Sequence, residues 1–176
     1  MTLIYPGSFD PVTLGHIDIA LRSAKIASRL IIAVLSNPNK TPLFSTQERI
    51  EFLRGELGRV NNIEIDSFSG LLAEYAKIKS ATAIIRGVRN AGDFENEAKY
   101  AVLNRLLSAD KQSDGTKNGI ETIYIQADPM YSFVSSSAVR EICSHIYNSN
   151  LSDTALGNLV TPSMQKALEK RFKNQD

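Results

Sequence analysis

Short apolar runs alternate along the chain with longer segments whose apolar residues recur at helical spacing. Leu30–Leu35 and Ala83–Ile85 are apolar at consecutive positions, which is typical of parallel strands covered on both faces. The other strand candidates are Leu3–Tyr5, Ile63–Ile65 and Thr122–Ile125. Repeated β–α units predict an α/β fold with one open, doubly wound parallel sheet of five strands and right-handed crossovers.

Helix candidates lie between these strands. One apolar stripe runs from Ile17 to Ala27 and another from Leu71 to Ile78. Ser45–Glu48 has the S-x-x-E pattern of a capping box, which marks the start of a further helix. We expect Asp93 to cap a helix that continues to about residue 108. Pro at position 162 predicts the start of a C-terminal helix, about 161–173, that ends in basic residues.

The organisation of the chain indicates one domain over residues 1–176. The segment 110–119, DKQSDGTKNG, has no apolar residue and is expected to be a mobile loop without a catalytic part. In open α/β sheets, ligands bind beyond the carboxyl ends of the strands, at the point where the strand order reverses. The loops that follow the strands are therefore the place to look for chemistry.

Charge and cysteine content narrow the function classes. The formal net charge is +1, from 20 basic and 19 acidic residues, so nothing draws the whole chain to nucleic acid or to an anionic membrane. Cys143 is the only cysteine, which suits a reducing compartment. No signal-peptide pattern opens the chain, and the longest apolar run is far shorter than a membrane span. We therefore expect a cytoplasmic protein.

The loop after the first strand carries the strongest chemical signal. Gly7 and Gly15 permit close backbone approach, and the helix that begins near His16 offers free N–H groups to a phosphate. The pattern is neither a Walker loop nor the G-x-G-x-x-G fingerprint. His16 in the first turn is placed to direct an imidazole N–H at an anion, although a purely structural histidine is the alternative interpretation.

Two further loops carry cations. Lys40 follows the second strand and is suited to neutralise phosphate, unless it is only a solvated surface lysine. Arg86 and Arg89 flank the end of the fourth strand, where guanidinium groups make bidentate phosphate contacts. Surface salt bridges with Asp93 or Glu95 are the alternative for these arginines.

The fifth strand is followed by Ser135–Ser137, which are either donors to a nucleotide phosphate or simple helix caps. The sequence shows no nucleophile–base pair and no metal-ligand cluster. A site that is rich in phosphate donors and poor in nucleophiles favours direct displacement at phosphorus, driven by positioning and charge stabilisation.

Together these segments resemble a known family. Gly7–Pro11 with Thr13–His16 is similar to the [HT]-x-G-H signature of the nucleotidyltransferase superfamily, and Ser135–Arg140 resembles its serine-rich second motif. The Thr form of the first motif, with Asn37–Pro42 and Arg86–Glu97, is similar to bacterial phosphopantetheine adenylyltransferases. The likeness extends from about Leu3 to Arg140.

The resemblance implies a Rossmann-like fold and a reaction in which ATP and 4′-phosphopantetheine give dephospho-coenzyme A and pyrophosphate. It implies that His16 stabilises the α-phosphate, that Ser8 and Lys40 hold the acceptor phosphate, that Arg86 contacts the acceptor, and that Leu72 lines the pantetheine arm. It also implies a homohexamer built from two trimers, and Mg²⁺ that is held through ATP phosphates without a protein metal ligand. The implied ATP-binding residues are Ser8, Phe9, His16, Gly87, Val88, Arg89, Glu97, Tyr131, Ser132, Phe133, Val134, Ser135, Ser136 and Ser137.

Some positions depart from the family pattern, and two other functions stay open. Ser8 replaces a frequent Thr, Tyr131 a frequent Trp, and Asn96 a frequent Tyr. One alternative is a sister transferase that uses nicotinate mononucleotide or glycerol 3-phosphate, although Thr13 stands where such enzymes typically keep His. The other alternative is a non-catalytic nucleotide sensor.

Overall fold

The computed structural model describes residues 1–36, 41–111, 117–148 and 154–173, so Lys40 lies outside the described residues. The strands are β1 (Thr2–Gly7), β2 (Arg29–Leu35), β3 (Ile63–Phe68), β4 (Ala83–Val88), β5 (Asp110–Lys111), β6 (Lys117–Asn118) and β7 (Glu121–Gln126). The helices are α1 (Leu14–Ile26), α2 (Thr46–Leu57), α3 (Leu72–Ile78), α4 (Ala91–Ser108), α5 (Ser136–Asn148) and α6 (Pro162–Lys173). Short 3₁₀ turns span Pro129–Tyr131 and Thr154–Asn158.

The main sheet has five parallel strands in the order β3-β2-β1-β4-β7, which confirms the predicted doubly wound sheet. The chain starts at the central strand β1 and builds outward through β2 and β3. It then returns to the other side of β1 and adds β4 and β7. The direction of winding therefore reverses between β1 and β4, and this is the switch point where ligands bind in such sheets.

Both faces of the sheet are covered, which explains the consecutive apolar positions of the inner strands. Leu30 and Ile32 of β2 point to the larger core, where they pack with residues of α1, α2, α5 and α6. Their neighbours Ile31 and Ala33 point to the opposite face and pack with α3. Since successive side chains of a strand alternate between faces, every position from Leu30 to Val34 is buried on one side of the sheet or the other.

The predicted cap of α2 is present in the structure, whereas the cap of α4 is a different residue from the predicted one. The Ser45 capping box is confirmed, with Ser45 Oγ accepting from the Glu48 amide at 3.2 Å. The prediction that Asp93 caps α4 is wrong. Asn90 is the cap, because its Oδ1 accepts from the Asp93 amide at 2.9 Å in extended backbone geometry. The Asp93 carboxylate binds Arg89 instead.

The predicted loop segment 110–119 is described only at its ends. Its two ends pair as the antiparallel strands β5 and β6, and residues 112–116 lie outside the described residues. The C-terminal helix α6 begins at Pro162 as predicted, with Lys170, Arg171 and Lys173 in its last turn. Among the described helices, none is both long enough and apolar enough to cross a membrane.

Candidate active site

A cavity of about 260 Å³ opens at the carboxyl ends of β1 and β4. β1 pairs with β2 along its whole length, Thr2–Gly7, but with β4 only at Leu3 and Ile4. The two strands therefore separate after two residue pairs, and the space between their ends becomes the cavity. The site lies at the switch point, as the strand-end rule predicted.

The separation of the strands leaves backbone groups without a ladder partner. Pro6 sits near the end of β1, and its carbonyl accepts a hydrogen bond from Arg86 Nη1 at 3.2 Å. Because the N–H and C=O of one residue in a strand face the same neighbour, the proline nitrogen also faces β4, where the ladder has already ended. A proline is normally excluded from a central strand, and this geometry explains why one is accommodated here.

Most of the residues predicted for the site line this one cavity. They are Ser8, Phe9, His16, Arg86, Gly87, Arg89, Glu97, Tyr131, Val134, Ser135 and Ser136. Four other predicted ATP-binding residues are neighbours of these in sequence but do not line the cavity, namely Val88, Ser132, Phe133 and Ser137. Leu72 lies elsewhere, since it packs against the smaller core on the opposite face of the sheet.

The sequence reasoning missed three lining residues whose side chains shape the cavity, Tyr5, Ile19 and Ala127. Ile19 lies one turn after His16 on α1, so helical spacing alone could have indicated it. A Cβ at Gly87 would lie 3.1 Å from Ile19 Cγ1, which shows that this glycine lets β4 approach α1 closely. Ala127 directly follows β7, and no sequence signal marked it.

His16 occupies the third position of α1 and is held by a capping box with Thr13. The Thr13 amide donates to His16 Nδ1 at 3.1 Å, and Thr13 Oγ1 accepts from the His16 amide at 3.4 Å. A backbone N–H is always the donor, so Nδ1 is unprotonated and the neutral ring carries its proton on Nε2. The helix start thereby fixes a tautomer whose free donor suits an anionic ligand.

The charge state of His16 is set by its surroundings. Burial, with a smaller contribution from the nearby Arg89 guanidinium, lowers the pKa of His16 from 6.5 to about 4. The start of α1, where backbone N–H dipoles point toward the ring, acts in the same direction. The imidazole is therefore neutral at pH 7, and it acts as a hydrogen-bond donor rather than as a cation.

The loop between β1 and α1 is shaped by the Phe9 ring. Phe9 is 1% exposed and adopts a positive φ of 50°. Its ring packs edge-on between Tyr5 and His16, with centroids at 5.5 and 5.1 Å. A Cβ at Gly7 would lie 2.9 Å from the same ring, so only glycine fits at the end of β1.

The arginines of the predicted phosphate site are both ion-paired. Arg86 binds the Glu97 carboxylate through two nitrogens, with Nη2 to Oε1 at 2.6 Å. Arg89 binds both carboxylate oxygens of Asp93, at 2.6 and 2.9 Å, and its Nη1 donates to the Val134 carbonyl at 3.4 Å. The salt-bridge interpretation was thus right for Arg89 and Asp93, and these pairs hold both guanidinium groups at the cavity wall.

The serine-rich loop lies at the cavity and is held there by hydrogen bonds of its own side chains. Ser135 Oγ accepts from the Ala138 amide at 3.1 Å and so caps α5, as the alternative interpretation predicted. Ser136 Oγ donates to the Pro11 carbonyl at 2.8 Å, which ties the loop to the chain that precedes α1. Arg140 adds a short hydrogen bond from Nη1 to the Asp10 carbonyl. The two sequence motifs are therefore in direct contact.

Comparisons with known proteins identify the family of this chain. Residues 4–142 match the cytidylyltransferase-like family model. A phosphopantetheine adenylyltransferase of Caldanaerobacter subterraneus subsp. tengcongensis is 50% identical over 139 residues, which cover 79% of this chain and 81% of the relative. Another of Alkaliphilus oremlandii is 41% identical and covers 96% of this chain and 98% of the relative. The chain therefore belongs to the phosphopantetheine adenylyltransferases within the cytidylyltransferase-like family.

Solved structures support the fold. A Plasmodium falciparum nicotinic acid mononucleotide adenylyltransferase in complex with NaAD aligns with a TM-score of 0.63 at 11% identity, covering 96% of this chain and 94% of that protein. A nicotinate-nucleotide adenylyltransferase structure from Vibrio parahaemolyticus aligns with a TM-score of 0.56 at 13% identity, covering 96% and 97%. At such identities the likeness concerns the fold alone.

The lowered pKa of His16 predicts how stability depends on pH. Between pH 6.5 and about 4 the unfolded chain binds a proton at this ring and the folded chain does not, so the free energy of unfolding falls as the pH drops through this window. We expect the imidazole signal in NMR to titrate near pH 4. Replacing His16 by Gln should flatten the stability curve between pH 6.5 and 4, whereas parallel curves for both proteins would contradict the assignment.

Proposed function

We propose that this chain transfers AMP from ATP to 4′-phosphopantetheine, which gives dephospho-coenzyme A and pyrophosphate. The observation that carries the proposal is the neutral His16, whose tautomer is fixed by Thr13 at the start of a helix that borders the switch-point cavity. The guanidinium groups of Arg86 and Arg89 line the same cavity. The identity to phosphopantetheine adenylyltransferases, over nearly the whole length of several of them, supports the acceptor.

The chemistry that fits these residues is a direct displacement. A phosphate oxygen of the acceptor attacks the α-phosphorus of ATP, one new P–O bond forms, and the bond to the β-phosphate oxygen breaks as pyrophosphate leaves. The Nε2–H of His16 donates to an α-phosphate oxygen, on which negative charge increases in the transition state. No proton has to be removed from the acceptor, because its phosphate is already ionised at pH 7.

The remaining residues bind and orient the two substrates in this proposal. Ser8 and Lys40 hold the acceptor phosphate, Arg86 contacts the acceptor, and Leu72 lines the pantetheine arm. ATP occupies the space between the glycine-containing end of β4 and the loop that follows β7. Orientation of this kind lowers a barrier by about 7–11 kcal/mol when the reacting atoms are held in near-attack geometry.

Magnesium enters with ATP in this proposal. Mg²⁺ binds phosphate oxygens readily and keeps much of its water, so a nucleotide site does not need a dedicated protein cage. Glu97, a carboxylate that lines the cavity, is already engaged by Arg86. Within the described ranges there is no group of three or more His, Cys, Asp or Glu side chains placed to hold a metal.

Assembly into a hexamer of two trimers is supported by helix α4. Only Ser108 of this 18-residue helix is buried, while Tyr100, Leu103 and Leu107 are 51–60% exposed along one stripe. A neighbouring stripe carries Val102 and Leu106. Large contiguous apolar patches on a protein surface mark interaction sites. For location we propose the cytoplasm, since the single cysteine is a buried free thiol.

The acceptor assay tests the function. We expect pyrophosphate release from Mg-ATP with 4′-phosphopantetheine, and none with nicotinate mononucleotide or glycerol 3-phosphate. EDTA should abolish the release. Release with another acceptor would overturn the substrate, and tight ATP binding without any release would favour the nucleotide sensor.

The His16→Ala variant tests the role of the imidazole. We expect kcat to fall by about a hundredfold to a thousandfold with ATP affinity nearly unchanged, because the contact strengthens in the transition state. Steady-state kinetics and isothermal titration with ATP measure the two quantities. Weaker ATP binding at unchanged kcat would contradict the role.

The Leu103→Glu variant tests assembly through α4. We expect light scattering to give six copies of 19.4 kDa for the wild-type protein and a smaller assembly for the variant, because a charge would be buried in the interface. Leu21→Glu is the matched control, since Leu21 is 39% exposed on α1. Equal masses for the wild type and Leu103→Glu would show that this surface is not the interface.

A further inference from the structure

Arg49 is a buried cation that contacts both strand ends beside the candidate site. Its side chain lies on α2, and the residue is only 3% exposed. Nη1 donates to the Ser8 carbonyl at 2.6 Å and to the Leu35 carbonyl at 3.2 Å. Nε and Nη2 donate to the Ser45 carbonyl at 3.3 Å and to Thr46 Oγ1 at 3.0 Å.

These four bonds fall into two groups with different consequences. The bonds to Ser45 and Thr46 stay within the start of α2 itself. The bonds to Ser8 and Leu35 reach the residue that follows β1 and the last residue of β2. Nη1 therefore joins two neighbouring strand ends, while Nε and Nη2 of the same planar group anchor it to the start of α2. The single nitrogen of a lysine cannot serve all four acceptors.

A second buried group acts on the same two loops. Asp10 is 7% exposed, and its carboxylate accepts from the Leu43 amide at 2.8 Å and from the Phe44 amide at 2.9 Å. Arg49 thus binds the end of β2, at Leu35, and Asp10 binds the residues just before α2, at Leu43 and Phe44. Both attachments run to the loop that carries Ser8.

Helix α2 has anchors that are independent of Arg49. Ile50, Leu53 and Leu57 are buried in the larger core, and the Ser45 capping box satisfies the start of the helix. Burying a charged side chain is costly. The two bonds to the strand ends therefore contribute something that the packing of α2 does not supply.

We propose that Arg49 is a positioning residue for adenylyl transfer, which acts by holding the Ser8 peptide in place between the ends of β1 and β2. This inference rests on the proposed function, in which Ser8 helps to hold the acceptor phosphate. Arg49 itself does not contact the reacting atoms. Its effect passes through the orientation of Ser8, and displacements of about 1 Å at such a site cost about a hundredfold in rate.

The kinetic test is Arg49→Lys, which keeps the positive charge but replaces the three guanidinium nitrogens by one ammonium nitrogen. We expect kcat to fall about tenfold or more while the ATP affinity changes less than about twofold. In a Ser8→Ala background the same substitution should cost much less, because the group that Arg49 positions is already gone. Full additivity of the two effects, or an unchanged kcat, would overturn the proposal.

Two controls separate positioning from loss of stability. Arg171→Lys changes an arginine of α6. Its side chain pairs with Glu48 of α2, the helix that carries Arg49, and not with the strand ends. Leu53→Ala lowers the stability through the core. Both should keep kcat when assayed well below their melting temperatures, and a loss equal to that of Arg49→Lys would overturn the proposal.

A second variant and a second readout keep the test decisive. If Arg49→Lys does not fold, Arg49→Gln takes its place, because it removes the guanidinium group that bonds both strand ends. A kcat equal to wild type would then overturn the proposal. Amide hydrogen exchange needs no activity. Arg49→Lys should speed amide exchange at Ser8 and Phe9 relative to Arg171→Lys. Equal exchange rates would show that Arg49 does not hold the Ser8 peptide in place, even if no adenylyl transfer were detected.

Discussion

The pairing between β1 and β4 stops after two residues, and much of the site follows from this interruption. The strands are neighbours in the sheet, yet only Leu3 and Ile4 of β1 pair with β4. Beyond them the two strands separate, and Pro6 and Gly7 of β1 and Arg86 and Gly87 of β4 line the cavity. The Pro6 carbonyl, which a continued ladder would use, is bonded instead by Arg86. The end of the strand pairing thus opens the cavity and also frees a backbone carbonyl in its wall.

Among the described residues around the cavity, each arginine is matched by a carboxylate of the same chain. Arg86 and Arg89 are each held by a carboxylate of α4, and His16 is kept neutral by burial. Paired cations keep a fixed orientation, because the carboxylate holds the planar guanidinium group. A neutral imidazole offers a donor without the cost of burying a further charge. The site is therefore prepared to donate hydrogen bonds to phosphate without a large excess of positive charge.

Helix α4 links this site to the molecular surface. Its first turns supply Asp93 and Glu97 to the two arginines, while Leu103 and Leu107 stand exposed further along. Ser108 is its only buried residue, and the ion pairs with Arg86 and Arg89 tie its first turns to the end of β4.

The sequence alone determined the five strands of the main sheet, the order of the helices and the motifs Thr13–His16 and Ser135–Arg140, because periodicity and local hydrogen bonding are encoded in neighbouring residues. It did not indicate the short pair β5 and β6. Asn90, and not Asp93, as the cap of α4 was missed because both residue types suit that position and only the backbone path decides. The bond from Arg86 to Pro6 and the reach of Arg49 to two strand ends join residues far apart in the chain. Such contacts exist only once the sheet order is set, so the tertiary structure alone decided them.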